Sequence, residues 1–328
     1  MSIGRNRILP LLMKRCIYSV KLDFMQKTIA FRLNHWLLKN AAVLWINLIC
    51  TVVFAQSPAE PSAAQLLEKH AELVGQLERN AYKRPIYLAS SEGANLVNGE
   101  VYAVLQAPFD RVSSEFKSPN HWCEVMILPI NTKYCRSVSD SSPSTLKINI
   151  GKKTMQELAD TYQFDFGFNV ASSTPDYLAV LLKASKGPYG TYNYKIELYA
   201  VPLPSGKTFL HLRYAYGYGF ASRIALQGYL AAVGGRKVGF TQIVQNQKHI
   251  PVSGMRGAVE RNTMRYYLAI EAYLATLGQP AGQQFNLRLD HWFEATEDYP
   301  DQFNDIDKNS YLAIKKSEYQ RQKTRLPG

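Results

Sequence analysis

The most constraining feature of this sequence is a series of segments, from residue 145 to residue 216, in which apolar and polar residues alternate. In the first segment Leu146, Ile148 and Ile150 alternate with polar neighbours, and in the second aromatic residues such as Phe164 and Phe166 do so. A period of two is typical of strands that bury one face. The stretches between the segments are short and rich in turn residues, so we predict an antiparallel meander. Its predicted strands are 146–150, 162–170, 177–183, 192–200 and 207–216.

The residues on either side of the meander follow other patterns. After Gly219 the apolar residues recur with the period of a helix, and the longest helix is predicted at 255–277, with an apolar stripe that Glu271 interrupts. The other predicted helices are 64–80, 110–116, 121–128, 220–233, 283–297 and 301–322. Further strands are predicted at 85–90, 99–109 and 237–244. The order of the elements indicates an α+β fold.

This order resembles the START-like (SRPBCC) helix-grip superfamily, in which a curved antiparallel sheet wraps around a long C-terminal helix. The resemblance is carried by residues 99–126, the meander 145–216 and the helix 255–277. The sequence is also similar to uncharacterised secreted proteobacterial proteins, for which VGFT (238–241) and RGAVERNTMRYYLAI (256–270) look typical. The division that follows is a signal peptide (1–55), a linker with an N-terminal helix (56–84), a helix-grip domain (85–277) and a C-terminal helical extension (278–328).

The resemblance implies a cavity between the sheet and the long helix. The residues expected to line it are Phe164, Phe166, Tyr194, Ile196 and Leu268. Most of the dense Tyr and Phe residues of 162–220 should form the core, and tyrosine hydroxyls would make a cavity wall amphipathic. The sequence departs from the family pattern in the extra helix 220–233 and the strand 237–244, which would cover one end of the cavity.

The apolar run 41–55, AAVLWINLICTVVFA, is predicted to be the core of a signal peptide. Basic residues precede it, small polar residues follow it, and Val53 and Ala55 suit the positions before a cleavage site. The alternative is an uncleaved membrane anchor, but 15 helical residues extend only about 22 Å, whereas a bilayer core is about 30 Å thick. We therefore expect cleavage after Ala55, a mature chain without a transmembrane span, and a periplasmic or secreted protein. Translation would start at Met1, Met13 or Met25.

The charge of the chain depends on this cleavage. The full sequence has a formal net charge of +12, but residues 1–55 contain eight Lys and Arg and a single acid. The mature chain would carry 30 basic and 25 acidic residues, a net charge of +5, so its composition gives no support to nucleic-acid binding.

Cleavage would also leave two of the four cysteines, Cys123 and Cys135. In an oxidising compartment two such cysteines normally pair, so a disulfide is predicted, with two reduced buried thiols as the alternative. Their spacing differs from that of a C-x-x-C redox motif.

Charged residues on the long helix allow two interpretations. Arg256 and Glu260 are four residues apart, which is typical of an ion pair on a solvated helix face, and Arg261 and Arg265 share a face in the same way. Alternatively, Arg261 or Arg265 points towards the sheet as a polar group in the cavity. It would then meet an acidic head group or a buried acid such as Asp165.

No catalytic, metal-binding or cofactor-binding motif stands out. The histidines lack the spacing of a metal site, G-x-S-x-G is absent, and SGKT at 205–208 lacks the first glycine of a phosphate-binding loop. We therefore predict no cofactor, no metal and no nucleic-acid partner, and a protein that binds an apolar or amphipathic small molecule such as a lipid. The alternatives are an enzyme that uses the same cavity and a scaffold protein that docks through its C-terminal helices.

Overall fold

The computed structural model describes residues 60–138, 144–204, 206–234 and 237–324, and the side chains of all of these but 232–234. The predicted signal peptide, 1–55, lies outside the described residues. The strands are β1 (Ile86–Glu92), β2 (Leu96–Leu105), β3 (Thr132–Val138), β4 (Thr145–Ile150), β5 (Tyr162–Thr174), β6 (Tyr177–Lys186), β7 (Tyr192–Pro202), β8 (Thr208–Gly217), β9 (Gln242–Gln245) and β10 (Lys248–Pro251). The α-helices are α1 (Ala63–Glu78), α2 (Phe109–Phe116), α3 (Pro119–Met126), α4 (Phe220–Gly234), α5 (Gly254–Ala275), α6 (Ala281–Glu297), α7 (Pro300–Phe303) and α8 (Lys308–Lys323).

Eight strands form one antiparallel sheet in the order β1-β2-β8-β7-β6-β5-β4-β3. Strands β3 to β8 follow each other as a meander, and β8 then pairs with β2, which returns the chain to the first strands. The predicted strands of the meander are all present. Alternate residues face opposite sides of the sheet, and on β5 the buried Phe164, Phe166 and Phe168 face inwards between exposed Gln163, Asp165 and Asn169.

The two faces of the sheet are covered by different helices. On the outer face, α1 packs Leu66, Leu73 and Leu77 into a small core that includes Phe209 of β8. On the inner face lies the main core, to which α2, α3 and α5 to α8 all contribute side chains. Because β8 is covered on both sides, every one of its residues is buried, as is typical of a central strand.

The long helix α5 packs on the inner face of β1, β2 and β8 and also contacts α6. It approaches β2 closely because residue 99 is glycine: a Cβ at Gly99 would lie 2.5 Å from Thr263 Oγ1 and 3.2 Å from the carbonyl oxygen of Val259. A sheet closed over one long helix makes this an α+β fold of the helix-grip type. The expected apolar stripe ends early, since Ala275 is exposed.

The structure corrects three sequence predictions. The predicted strand 237–244 is wrong in its bounds: β9 begins only at Gln242 and forms a hairpin with β10, and both residues of the turn, Asn246 and Gln247, have positive φ angles. The predicted helix 301–322 is two helices, because α7 ends at Phe303 and Asp307 caps the start of α8 by accepting the Ser310 N–H. Strand β3 was not predicted, since its sequence, TKYCRSV, does not alternate and its pairing with β4 contains a bulge.

The helix α8 is attached to the domain by a buried charge cluster. The ammonium group of Lys133 on β3 and that of Lys315 on α8 each bind one carboxylate oxygen of Glu318, at 2.9 and 2.5 Å. The side chains are 0–3% exposed, and both lysines also donate to backbone carbonyls. The three buried charges of Lys133, Lys315 and Glu318 are tolerated here because each ammonium group has three hydrogen-bond acceptors.

A disulfide joins Cys123 on α3 to Cys135 on β3, with 5.1 Å between their Cα atoms. It fastens a short helix of the inner layer to the edge strand of the sheet. None of the helices in the described part of the chain is both long and apolar enough to cross a bilayer.

Candidate functional site

A cavity of about 400 Å³ lies between the inner face of the sheet and the first half of α5. This volume falls in the range of small-molecule sites, about 300–1,000 Å³. Four of the five residues expected to line it do so: Phe164 and Phe166 on β5, and Tyr194 and Ile196 on β7. Leu268 does not line the cavity. It is fully buried in the main core, because the part of α5 that lines the cavity ends at Tyr266.

The cavity wall is aromatic on the sheet side. Tyr194 lies 4.9 Å from Phe164 and 5.0 Å from Tyr216 between ring centroids, and Tyr214 meets Tyr266 of α5 at 5.5 Å. Burial raises the pKa of Tyr266 to about 12, so its hydroxyl stays neutral at physiological pH. The wall therefore offers apolar ring faces together with uncharged hydroxyl groups.

The inserted helix α4 covers one side of the cavity. Its residues Leu226, Tyr229 and Leu230 contribute to the lining, and Tyr229 lies 5.8 Å from Tyr189 of the β6–β7 connection between ring centroids. Two other residues of α4 point away from the protein: Phe220 is 81% exposed and Ile224 is 56% exposed. The insertion thus shields the cavity, as the sequence suggested, while it presents apolar side chains to the outside.

One end of the cavity is strongly basic. The lining there includes Lys153 from the loop after β4, Lys237 from the segment after α4, and Arg261 and Arg265 from α5. We call these four residues the cation cluster. Asp305, in the segment between α7 and α8, joins three of them.

The Asp305 carboxylate divides its two oxygens among these cations. Oδ1 accepts hydrogen bonds from Lys153 Nζ, at 2.5 Å, and from Lys237 Nζ, while Oδ2 accepts one from Arg265 at 3.0 Å. Both Asp305 and Arg265 have side chains that are only 7% exposed. The fourth cation, Arg261, donates instead to the backbone carbonyls of Lys237 and Val238, at 3.2 and 2.9 Å.

Burial and mutual repulsion destabilise the charged forms of the cluster. Burial, then the charge of Arg265, lowers the pKa of Lys153 to about 7. Burial, then the charge of Lys153, lowers that of Lys237 to about 7. For Arg265 burial and the charge of Arg261 lower the pKa to about 9. Perturbed groups that line a cavity are typical of functional sites.

The interpretation of α5 as carrying ion pairs on a solvated face is wrong. Glu260 is fully buried and accepts the backbone N–H groups of Phe240 and Thr241, at 2.5 and 2.9 Å. Arg256 donates to the hydroxyl of Ser90 at 2.7 Å. The four-residue spacing did not reveal this, because it specifies a helix face but not what packs against that face.

The alternative interpretation, an inward-pointing arginine, describes Arg261 and Arg265 correctly but names the wrong acid. Asp165 is exposed on the outer face of β5, and the acid that Arg265 meets is Asp305. Sequence reasoning missed Lys153, Lys237 and Asp305 altogether. No local pattern marks them, because they come from three connecting segments that lie far apart in the chain. The described residues bring together no group of His, Cys, Asp and Glu suited to a metal ion.

Comparisons with known proteins give neighbours in structure only. No protein-family model matches the chain, and no curated protein does. Similar solved structures include human StAR-related lipid transfer protein 5 (13% identity, 66% of this chain and 98% of that chain, TM-score 0.34). A conserved protein from Geobacillus kaustophilus is also similar (18% identity, 55% of this chain and 95% of that chain, TM-score 0.33). So is a truncated norcoclaurine synthase from Thalictrum flavum (13% identity, 44% of this chain and 93% of that chain, TM-score 0.31). Because these TM-scores are below 0.5, the helix-grip description rests on this chain's own sheet order and helix contacts.

Proposed function

We propose that this protein binds an apolar or amphipathic small molecule in the cavity between the sheet and α5. The observation that carries the proposal is the cavity itself, about 400 Å³ in volume, with an aromatic wall and a basic end. Aromatic and aliphatic walls gain free energy when an apolar ligand replaces water, at about 25 cal/mol per Å² of buried apolar surface. A protein that acted only as a scaffold would have no need of such a space.

The binding of a neutral fluorescent probe, N-phenyl-1-naphthylamine, tests this proposal. Ala258 lies on α5 and lines the cavity, so Ala258→Phe should fill part of the space and weaken probe binding by about tenfold or more. Ala275→Phe is the matched control, since Ala275 is exposed at the end of the same helix. Equal probe binding by both variants and the unchanged protein would refute the proposal. If Ala258→Phe weakens probe binding and Ala275→Phe does not, mass spectrometry of an organic extract of the purified protein would identify the natural ligand.

We further propose that the protein acts in the envelope of a Gram-negative bacterium, after removal of residues 1–55. The apolar run 41–55 supports this, and so does the Cys123–Cys135 disulfide, because structural disulfides are rare in reducing compartments.

A second candidate function is an enzyme that uses the same cavity. The observation that favours it is the pair of cavity lysines, Lys153 and Lys237, whose pKa values are lowered to about 7 next to the carboxylate of Asp305. A lysine that is partly unprotonated at neutral pH can act as a general base or add to a carbonyl group.

Reductive alkylation with hexanal and sodium cyanoborohydride tests this second function. The amine would add to the aldehyde, lose water to give an iminium ion, and accept hydride from the reagent. Lys153 or Lys237 should be modified faster than exposed Lys316 at pH 7, as followed by peptide mass spectrometry. Modification of Lys316 at the same rate or faster would remove the basis for this candidate.

A further inference from the structure

The cation cluster carries more positive charge than its neighbours neutralise. In the described part of the chain, Asp305 is the sole ion-pair partner of Lys153, Lys237 and Arg265. Arg261 has only backbone carbonyls as hydrogen-bond acceptors there. The cluster therefore combines four cationic side chains with one directly bonded carboxylate.

Two other acids lie near the cavity: Asp160 lines it but is exposed, and Glu260, next to Arg261 on α5, is already engaged. The Oε2 atom of Glu260 accepts the N–H groups of Phe240 and Thr241, and its Oε1 accepts the Ser90 hydroxyl. These three bonds hold the carboxylate between β1 and the segment before β9. Glu260 therefore lowers the local positive charge but forms no ion pair with the cation cluster.

The cluster also retains hydrogen-bond donors. A lysine ammonium has three N–H donors and a guanidinium five. Lys153 and Lys237 each make one hydrogen bond with the described residues, both to the same oxygen of Asp305. The remaining donors belong to side chains that line the cavity, and a buried cation without a partner is costly.

We propose that the cation cluster binds the anionic head group, a carboxylate or a phosphate, of an amphiphile whose apolar part occupies the aromatic half of the cavity. This inference rests on the proposed function and adds the chemical class of the ligand. A carboxylate or phosphate supplies the missing negative charge and several acceptor oxygens, whereas a neutral head group supplies no charge and a cationic one is repelled. Asp305 then holds the cationic side chains in place before the ligand arrives.

Competition against N-phenyl-1-naphthylamine at pH 7 tests the inference with ligands that share one alkyl chain. The ligands are dodecyl phosphate, dodecanoate, dodecanol and dodecyltrimethylammonium, and inorganic phosphate alone is included. We expect the two anions to bind at least about tenfold more tightly than dodecanol, since charge-assisted hydrogen bonds are about twice as strong as neutral ones. Inorganic phosphate should compete far more weakly, because it lacks the apolar part.

Substitutions in the cation cluster test whether it causes the preference for anionic ligands over dodecanol. The double variant Lys153→Met, Lys237→Met should lose most of the preference for anions, measured as the ratio of its own affinities for dodecyl phosphate and dodecanol. Lys316→Met removes an exposed lysine and is the matched control. If the double variant does not fold, Lys153→Met alone, whose side chain is 31% exposed, gives the same comparison.

Three results would overturn the inference. Equal affinity for dodecanol and dodecyl phosphate would refute the head-group site but leave the proposed function intact. Inorganic phosphate that binds as tightly as dodecyl phosphate would show a site for free anions rather than for an amphiphile. No binding of any ligand or of the neutral probe would refute the proposed function together with this inference.

Discussion

Single buried charges do much to hold this fold together, and Glu318 is the clearest case. Its carboxylate is the shared partner of Lys133 and Lys315, both of which are fully buried. Burial, against the opposing charge of Glu318, lowers the pKa of Lys315 to about 8. The charged forms of the two buried lysines are thus stabilised by this one carboxylate.

Glu318→Gln should therefore destabilise the protein by about 3–5 kcal/mol, the usual cost of leaving a buried charge without its partner. The free energy of unfolding in urea measures the effect. Lys316→Gln, two residues away on the exposed side of α8, is the control and should change stability by no more than about 0.5 kcal/mol. If both variants unfold at the same urea concentration, the buried cluster does not stabilise α8.

A second charged group lies on the outer face of the sheet. Glu100 accepts hydrogen bonds from Tyr102 at 2.8 Å and from Asn98 at 2.5 Å, and it contacts His211 Nε2 at 3.0 Å. Burial opposes its ionisation, but the hydrogen bond and the charge of His211 outweigh burial and lower the pKa of Glu100 to about 2.

This shift predicts how stability depends on pH. Because the pKa of Glu100 is lower in the folded protein than its ordinary value of 4.5, its contribution is complete above pH 4.5 and is lost as pH falls towards 2. We expect Glu100→Gln to be less stable than the unchanged protein by about 2–3 kcal/mol at pH 6 and by much less near pH 2. Urea unfolding at a series of pH values measures the difference. A difference that stays constant with pH would contradict the assignment.

Among the elements, α5 is the one on which both the core and the cavity depend. Its first half forms the cavity wall from Ala258 to Tyr266, and its second half contributes fully buried side chains to the main core. Leu268 marks the change, because it is fully buried one turn or less beyond the last lining residue.

Leu268→Ala should remove about 2–5 kcal/mol of stability, as for other leucines in packed cores. The cavity should remain, since Leu268 is not part of its lining, so the affinity for N-phenyl-1-naphthylamine should be unchanged. Ala275→Ser, at an exposed position on the same helix, is the control for stability. A neutral Leu268→Ala variant would mean that α5 stands away from the sheet, and the cavity proposal would fail with it.

At the scale of the whole molecule, the described residues from Pro61 onwards form one compact unit in which the C-terminal helices belong to the core. Tyr311 of α8 is fully buried, and its hydroxyl donates a hydrogen bond to the backbone carbonyl of Leu128, just after α3. The segment between α7 and α8 also supplies Asp305 to the cation cluster. The C-terminal region thus supports the basic end of the cavity through Asp305, and the side chains through which a scaffold would dock are partly used inside the protein.

Export is the remaining prediction at this scale. Expression of the full chain in a Gram-negative bacterium should yield a periplasmic protein whose N-terminal sequence begins at Gln56. Ala55→Arg is the control, because a large charged residue at the position before the cleavage site should block processing. A full-length product retained in the membrane from the unchanged sequence would contradict the prediction.

The strands of the meander and the long helix could be predicted from sequence because their signals are local. Alternation along β5 specifies which side chains face inwards, and the apolar period of 255–277 specifies a helix, whatever the rest of the chain does. The hairpin of β9 and β10 was missed because each of its strands is only four residues long, which is too short for a clear alternation. The alternation placed four of the cavity residues on one face of β5 and β7, and the family resemblance supplied the expectation that they line a cavity.

The sequence by itself determined the sheet, its inward-facing aromatic residues and the helix that closes it. Only the tertiary structure decided which charges are buried and with which partners. Lys153, Lys237 and Asp305 lie up to 152 residues apart in the chain. An ion pair depends on distance in space, which cannot be read from spacing along the chain. The same holds for Glu260, whose partners come from the segment before β9. Burial patterns are local and can be predicted from sequence, whereas the electrostatic site forms only where distant connecting segments meet.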